Sequence, residues 1–121
     1  MWMESREMSK MMYEKCFKDD QEKFWSLITD SESAYLYCRY VKDRPEIRKY
    51  ITDAEYAYWY CRNMKDRSEV RKHITNSKCA YRYCKNVKDR PEIRKYITNH
   101  LWAYWYCKDV KDRPEVRKYM K

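Results

Sequence analysis

The 121-residue chain contains no glycine, and this absence excludes several kinds of site. Phosphate-binding loops and dinucleotide fingerprints need glycine for tight turns and for close approach of the backbone to a phosphate. Two-residue β-hairpins also depend on it. The chain must therefore turn at Asn, Asp, Ser and Pro, which suits short helices joined by capped corners.

Long apolar segments are missing as well. The longest apolar run, LWAYWYC, covers residues 101–107, whereas a membrane-spanning helix needs about 18 residues or more. The sequence MWMESREM at the start has no apolar core of a signal peptide. We therefore expect no membrane partner and a cytoplasmic location, in the host cytoplasm if the protein is viral.

Residues typical of catalytic and metal sites are scarce. The histidines are His73 and His100, and neither has a nucleophile or carboxylate at a spacing that suggests catalysis. No CxxC or paired Cys/His spacing predicts a zinc site. We expect no enzymatic activity, no catalytic residue, no metal and no cofactor.

What the chain has in abundance is repetition. The sequence ITDAEYAYWYCRNMKDRSEVRKH occurs four times in related forms, with a period of 23 residues. The first to fourth copies span residues 28–50, 51–73, 74–96 and 97–119. Such a period is typical of arrays in which each unit packs against its neighbours. The recurrence of apolar residues favours a folded chain, although 39% of the residues are charged.

Each copy is predicted to form two short helices, of about 12 and about 8 residues, that become stable only by stacking. Thr29 with Glu32 fits a capping box at the start of the first helix. The second helix is predicted to begin at Asp43 as N-cap, with Pro45 in its first turn. The first helix has a core-facing stripe with i, i+3, i+4, i+7 spacing, formed in the first copy by Ala34, Tyr37, Cys38 and Val41.

These patterns predict an all-α fold, a short α-solenoid of four 23-residue helix-turn-helix repeats at residues 28–121. Residues 1–27 are predicted to be a degenerate N-terminal capping repeat, because terminal units of an array are atypical. The unit length resembles that of leucine-rich-variant repeats. The consensus A-Y-x-Y-C…K-D-R-P-E-[IV]-R-K, from Ala34 to Lys118, is more similar to paired-helix repeats in proteins of phages and large DNA viruses. The resemblance implies a repeat scaffold of viral type and transfers no active site.

Four of the six cysteines share one position in successive copies: Cys38, Cys61, Cys84 and Cys107. Stacked helices lie about 8–10 Å apart, whereas the Cα atoms of a disulfide lie about 4.4–6.8 Å apart. We therefore expect a row of reduced, buried thiols that pack as small apolar groups. Cys79 lies outside this row, at a position open to exposure.

One face of the first helix varies between the copies. Positions 32, 33, 36 and 40 form a contiguous arc opposite the core-facing stripe, and their equivalents are partly aromatic or basic, as at interface hot spots. The predicted partner-binding residues are Tyr40, Tyr56, Trp59, Lys78, Arg82, Trp102 and Trp105. The alternatives are neutral drift of a solvent face and packing against adjacent repeats, a capping tail or a second molecule, especially for Leu101 and Trp102.

The K-D-R-[PS]-E-[IV]-R-K run places arginines in register, where they can contact phosphates or form ion pairs between repeats. The acidic residues beside them favour the ion pairs. The net charge of +9 is concentrated in the third copy, with seven basic and two acidic residues, and at the C-terminal end. Basic residues interleaved with aromatic ones are typical of single-stranded nucleic-acid binding. Candidate phosphate contacts are Arg82, Lys85, Lys88, Arg90 and Lys108.

The leading interpretation is a non-enzymatic protein that binds a protein partner through the variable face. By analogy, it is a phage- or virus-encoded inhibitor of a host nucleic-acid-handling or defence complex, such as an anti-CRISPR-like protein. Direct binding of RNA or DNA along the third and fourth copies is the alternative, and a self-assembling structural protein is the third interpretation. The sequence also leaves a homodimer open.

Overall fold

The computed structural model describes residues 27–120, which contain eight helices and no strand. Ten-residue and four-residue helices alternate, one of each per copy. They are α1 (Ser31–Tyr40), α2 (Pro45–Arg48), α3 (Ala54–Asn63), α4 (Ser68–Arg71), α5 (Ser77–Asn86), α6 (Pro91–Arg94), α7 (His100–Asp109) and α8 (Pro114–Arg117). The predicted all-α fold is confirmed for these residues. The predicted N-terminal cap, residues 1–27, lies outside the described residues except for its last position.

The ten-residue helices begin after an Asp or Asn whose side chain caps them. The Asp30 carboxylate accepts a hydrogen bond from the backbone N–H of Ser33 at 2.8 Å, and the Asn76 side chain accepts one from Cys79 at 2.8 Å. Asp53 and Asn99 do the same in α3 and α7. The predicted capping box on Thr29 is therefore wrong by one residue, because Asp and Asn are stronger N-cap residues than Thr.

The four-residue helices begin differently from the prediction. The N-cap of α2 is Arg44, whose side chain makes no capping hydrogen bond, and Pro45 follows at the first helical position. Asp43, the predicted N-cap, instead accepts a hydrogen bond from Nε of Arg48 at 3.1 Å. A proline at the first position needs no capping partner, since it has no N–H to satisfy.

The second helices are also shorter than the predicted eight residues. At the end of α2 the backbone N–H of Tyr50 donates to the carbonyl of Ile47 at 3.0 Å, and that of Ile51 donates to Arg48 at 2.9 Å. These i to i−3 bonds tighten the last turn into 3₁₀ geometry, which ends the α-helix. No residue from 27 to 120 adopts a positive φ, so these corners form without glycine.

By its internal contacts the chain divides into two compact units, one up to Thr52 and one from Asp53 onward. In the first unit α1 packs against α2. The Ser31 hydroxyl joins the start of α1 to the end of this unit, because it donates to the carbonyl of Tyr50 at 3.1 Å and accepts from the N–H of Thr52 at 3.0 Å.

In the second unit the ten-residue helices pack side by side, with α5 between α3 and α7, and each contacts the short helix that follows it. The most deeply buried residues recur at the same positions in each copy. They are Ala57, Tyr60, Val70, Ile74, Ala80, Tyr83, Ile93, Ile97, Ala103, Tyr106 and Val116. Among residues 27–120 no helix is long and apolar enough to cross a membrane.

Candidate functional site

Two carboxylates join neighbouring copies in the second unit. Asp66 accepts hydrogen bonds from the Tyr83 hydroxyl at 2.7 Å and from Nη2 of Arg90 at 3.0 Å, both in the next copy. Arg71, from the same copy as Asp66, donates from Nη1 at 3.0 Å. Three donors on one partly buried carboxylate make this contact a structural junction between copies.

The same junction recurs 23 residues later. Asp89 accepts from the Tyr106 hydroxyl at 2.8 Å and from Nε of Arg113 at 3.1 Å. Arg94 from its own copy donates from Nε at 3.1 Å. The ion pairs that the sequence favours between repeats are thus present at these two positions, and Arg90, a candidate phosphate contact, belongs to one of them.

Hydrogen bonds set the electrostatics of the two junctions. Burial alone would raise the pKa of Asp66, but the bonds from Tyr83, Arg90 and Arg71 outweigh burial and hold the pKa below its ordinary value. At Asp89, burial is likewise outweighed by Arg94, Tyr106 and Arg113, so its pKa is lowered. Burial and the adjacent Asp89 raise the pKa of Tyr106 to about 12. The carboxylates are ionised and the phenols protonated at neutral pH.

A second contact links successive ten-residue helices. The Tyr58 hydroxyl of α3 accepts a hydrogen bond from Nδ2 of Asn86 in α5 at 2.9 Å. One copy later, the Tyr81 hydroxyl of α5 donates to Oδ2 of Asp109 in α7 at 2.6 Å. The Trp102 ring lies 5.5 Å from the Tyr81 ring between centroids. Trp102, a predicted partner-binding residue, therefore packs on the preceding copy, as the sequence left open.

Sequence analysis missed the role of Asn86 and Asp109. Both are equivalents of position 40, which is Tyr in the first copy and was assigned to the variable face. The available signal was the polar residue at this position in the second, third and fourth copies. The hydroxyl of a buried tyrosine needs a hydrogen-bond partner, so the residue that contacts it must have a polar side chain.

Three side chains of the variable face lie at equivalent positions on α3, α5 and α7. Trp59 and Arg82 are half-buried, and Trp105 is 36% exposed. The guanidinium of Arg62 lies 5.7 Å from the Trp59 ring, and Nζ of Lys108 lies 5.3 Å from the Trp105 ring. We call Trp59, Arg82 and Trp105 the outer row. In the outer row Arg82 lies between the two tryptophans in helix order, and each indole has a further cationic side chain near its ring.

A groove of about 450 Å³ lies at the N-terminal ends of α3, α5 and α7. Exposed Glu55 and Lys78 line it together with Trp102 and the capping Asn76. Cys79 also lines it but is only 4% exposed, so the sequence-based view of Cys79 as open to exposure is corrected. The groove places two acidic side chains, of Asp53 and Glu55, and the basic side chain of Lys78 around an indole.

The remaining predicted residues are dispersed. Tyr40 belongs to the first unit, where the Arg39 guanidinium lies 5.3 Å from its ring. Tyr56 is half-buried on α3. Of the candidate phosphate contacts, Lys85, Lys88 and Lys108 are exposed, and Nζ of Lys85 lies 3.8 Å from Oδ2 of Asp109.

The described cysteines are free thiols, and all but Cys107 are buried. Burial raises the pKa of Cys61 and of Cys84 to about 12, which keeps both protonated and poorly nucleophilic. Burial also raises the pKa of Cys79. Over residues 27–120 no three His, Cys, Asp or Glu side chains are grouped to hold a metal ion.

The contacts above define a framework of tyrosine, aspartate and arginine that is the same at both junctions, and an outer row that changes from copy to copy. The roles of the outer-row residues rest on their exposure, their neighbours and their chemistry. Compared with protein-family models, curated proteins and solved structures, the chain matches none.

Proposed function

We propose that the chain is a non-enzymatic scaffold, a short α-solenoid of 23-residue units, that binds a protein partner through the outer row. One observation carries the proposal. On α3, α5 and α7 the fully buried alanine and tyrosine recur in each copy, whereas the outer row reads Trp59, Arg82 and Trp105. Variation between aromatic and basic residues at a surface position of a repeated framework is what a recognition surface requires.

The chemistry of the outer row suits a partner with apolar and acidic groups. Each indole offers a large, rigid contact area, and Arg82 can form a two-pronged pair with a carboxylate. The net charge of +9 favours an acidic partner face at long range. Within this class we propose a host nucleic-acid-handling or defence complex as the target and inhibition by a phage or virus protein as the role, in the host cytoplasm.

Affinity capture with matched variants tests the proposal. The tagged chain is compared with Trp59→Ala and Trp105→Ala, which remove the two indoles of the outer row. Tyr119→Ala is the control. Tyr119 is half-buried and lies outside the row, and Nζ of Lys118 lies 5.1 Å from the centroid of its ring. Proteins retained by the wild type and the control, and lost from both tryptophan variants, are the expected result.

Circular dichroism and thermal melting of each variant accompany the capture. Since Trp59 and Trp105 are not fully buried, we expect helical spectra like that of the wild type. Equal retention of the same proteins by all four chains contradicts binding through the outer row. Melting of the tryptophan variants at room temperature assigns the row to the core instead.

A second candidate function, direct nucleic-acid binding, is favoured by a specific cluster on α7. The exposed rings of Tyr104 and Trp105 lie 5.2 Å apart between centroids, and Nζ of Lys108 lies within 5.9 Å of both. Stackable rings beside a cation are the elements of single-stranded nucleic-acid binding. Exposed Lys85 and Lys88 on the preceding copy extend the basic surface.

Fluorescence anisotropy separates this candidate from protein binding. Labelled single- and double-stranded oligonucleotides of mixed sequence are titrated at about 50 mM and about 200 mM salt. Binding that weakens by several tens-fold or more between the two salt concentrations indicates several phosphate contacts. Unchanged anisotropy at low salt removes nucleic acid as the ligand.

A further inference from the structure

A small cavity lies between the short helices α4 and α6, apart from the outer row. Its volume is about 290 Å³, near the lower limit of about 300 Å³ for sites that hold small molecules. Two successive copies of the second unit line it, and the polar residues of the lining are Ser68, Arg71, Lys72, Glu92, Lys95 and Tyr96. The occupant that fits this cavity is therefore small.

Two lysines of the lining have no carboxylate partner. Lys72 and Lys95 are both exposed, and within residues 27–120 neither forms an ion pair. The Lys95 ammonium lies 5.1 Å from the centroid of the Tyr96 ring. Arg71 differs, because its Nη1 donates to Oδ1 of Asp66 at 3.0 Å and to the Asp66 carbonyl at 3.2 Å. The charge available to a ligand thus comes from the lysines.

Glu92 is the acidic side chain of the lining. Its Oε1 lies 3.8 Å from Nη1 of Arg90, and its side chain is 52% exposed. The arginine and the surrounding water therefore reduce the effect of this carboxylate on the cavity. Two lysines outweigh it, and the cavity favours an anion.

The kind of cation favours a phosphate over a carboxylate. A carboxylate is recognised best by the two-pronged guanidinium of arginine, and the Arg71 guanidinium is already bonded to Asp66. Lysine binds phosphate as a point charge, and a phosphate monoester carries about −1.5 to −2 charges at pH 7. The Ser68 hydroxyl is exposed and makes no hydrogen bond within the described residues, so it offers a further donor.

An apolar surface completes the cavity. The half-buried Tyr96 and the buried Ile93 line it beside the lysines. We propose that this cavity binds a small phosphate monoester that carries an aromatic ring. The phosphate contacts Lys72, Lys95 and the Ser68 hydroxyl, and the ring of the ligand packs against Tyr96.

Comparison of the copies points to Ser68 as the residue that sets this cavity apart. The equivalent position is proline, which has no hydroxyl, in the other three copies: Pro45, Pro91 and Pro114. The lysines and the tyrosine of the cavity recur one copy later as Lys95, Lys118 and Tyr119. The chain therefore supplies its own matched positions for a test.

Phenyl phosphate, which has both the ring and the phosphate, is the probe. It is titrated into the full chain up to about 10 mM, since a ligand of this size is expected to bind in the high-micromolar to millimolar range. Calorimetry measures the affinity, and the assigned ¹H–¹⁵N NMR spectrum locates the site. We expect saturable shifts of the amides of residues 68–72 and 92–96, with α8 unaffected.

Three variants test the contacts. Lys95→Gln is expected to weaken binding about tenfold, because it removes a charged donor. Ser68→Pro introduces the residue of the other copies, which suits the first helical position, and should weaken binding about threefold. Lys118→Gln is the control and should bind like the wild type. Its Nζ lies 5.1 Å from the Tyr119 ring, as that of Lys95 lies from the Tyr96 ring, but it does not line the cavity.

Related probes test the chemistry of the ligand. Inorganic phosphate lacks the ring, benzoate carries a carboxylate in place of the phosphate, and both are expected to bind more weakly than phenyl phosphate. Adenosine monophosphate and phosphotyrosine, titrated alongside, show whether a nucleobase or a phenol is the better ring.

Several outcomes overturn the proposal. They are the absence of saturable binding, amide shifts outside α4 and α6, an equal loss of affinity in Lys95→Gln and Lys118→Gln, and binding of inorganic phosphate or benzoate as tight as that of phenyl phosphate. The substituted side chains are exposed, so helical spectra like that of the wild type are expected. If Lys95→Gln unfolds, Lys72→Gln takes its place, and unchanged affinity in that variant contradicts the site.

Discussion

Helices α5 and α7 have the same length and the same recurring residues, yet their tyrosines meet different environments. Tyr81 of α5 is 7% exposed and bonded to Asp109, whereas Tyr104 of α7, at the same helix position, is 43% exposed. The difference arises because α5 lies between α3 and α7, and within the described residues α7 has a ten-residue helix on one side only. The same residue is therefore a core residue in one copy and a surface residue in the next.

The two helices thus have one tyrosine that is buried in both and another that is buried in α5 and exposed in α7. Tyr83 and Tyr106 point toward the preceding copy and are 0% exposed in both helices. Tyr81 and Tyr104 belong to the side that a following copy covers. Stability is therefore expected to depend on the first pair equally and on the second pair unequally.

The largest expected difference is between Tyr81→Ala and Tyr104→Ala. Removing the buried Tyr81 ring leaves a cavity and frees Asp109, at a cost of about 3–5 kcal/mol in unfolding free energy. Removing the exposed Tyr104 ring costs about 1 kcal/mol or less. Urea unfolding of dilute protein, followed by circular dichroism, measures both. Equal losses would show that α7 is covered as α5 is.

The next difference is between Asp89→Ala and Asp112→Ala. These substitutions remove equivalent aspartates, one bonded to the following copy and the other exposed. Asp89 accepts from the buried Tyr106 and the half-buried Arg94 and Arg113, so its loss removes the shared acceptor of three donors and costs about 2–3 kcal/mol. Asp112 forms an exposed ion pair with Arg117, and removing its carboxylate costs about 0.5 kcal/mol or less.

A double variant verifies the reason for the Asp89 effect. Adding Tyr106→Phe to Asp89→Ala is expected to cost less than Tyr106→Phe costs alone, because the hydroxyl has already lost the carboxylate and keeps only the hydrogen bond from Nε of Arg113 at 2.9 Å. Full additivity of the two losses would mean that the Tyr106 hydroxyl stabilises the chain through Arg113 and not through Asp89.

The sequence alone predicts the helical class and the core, since Ala, Tyr, Cys and Ile recur at spacings that place them on one helix face. It does not settle the caps. Thr29 and Asp30 are adjacent and both able to cap, and only the hydrogen bond to Ser33 decides. The short second helices also escape prediction, because their ends depend on backbone bonds such as that from Tyr50 to Ile47.

The sequence predicts which residues form the candidate site better than it predicts which neighbouring helices cover them. Trp59, Arg82 and Trp105 follow from variation between copies, but an arc on a helical wheel does not reveal which neighbour covers its edges. Trp102 and Asp109 lie on such an edge and pack against the preceding copy. The exposure of Tyr104 depends on which neighbours α7 has, and helix periodicity alone does not give them.

The smallest expected effect is that of acidic pH on the free energy of unfolding. The pKa of Asp89 is lowered in the folded chain because hydrogen bonds from Arg94, Tyr106 and Arg113 outweigh burial. Its contribution is therefore fully present above the pKa of an unfolded aspartate, about 3.9, and is lost as the pH falls through the lower folded value. We expect the stability advantage of the wild type over Asp89→Asn to shrink between pH 5 and pH 2, by about 1 kcal/mol or less.

Urea unfolding at each pH measures this advantage, and Tyr104→Phe is the matched control. It removes a hydroxyl from the open side of α7 and leaves every carboxylate in place, so its profile should run parallel to that of the wild type over the same range. A wild-type profile parallel to that of Asp89→Asn would mean that the carboxylate gains no more from its donors than it loses by burial. The junction between α5 and α7 would then rest on the packing of Tyr106, and Asp89 would serve only to satisfy the hydroxyl and the two guanidinium groups.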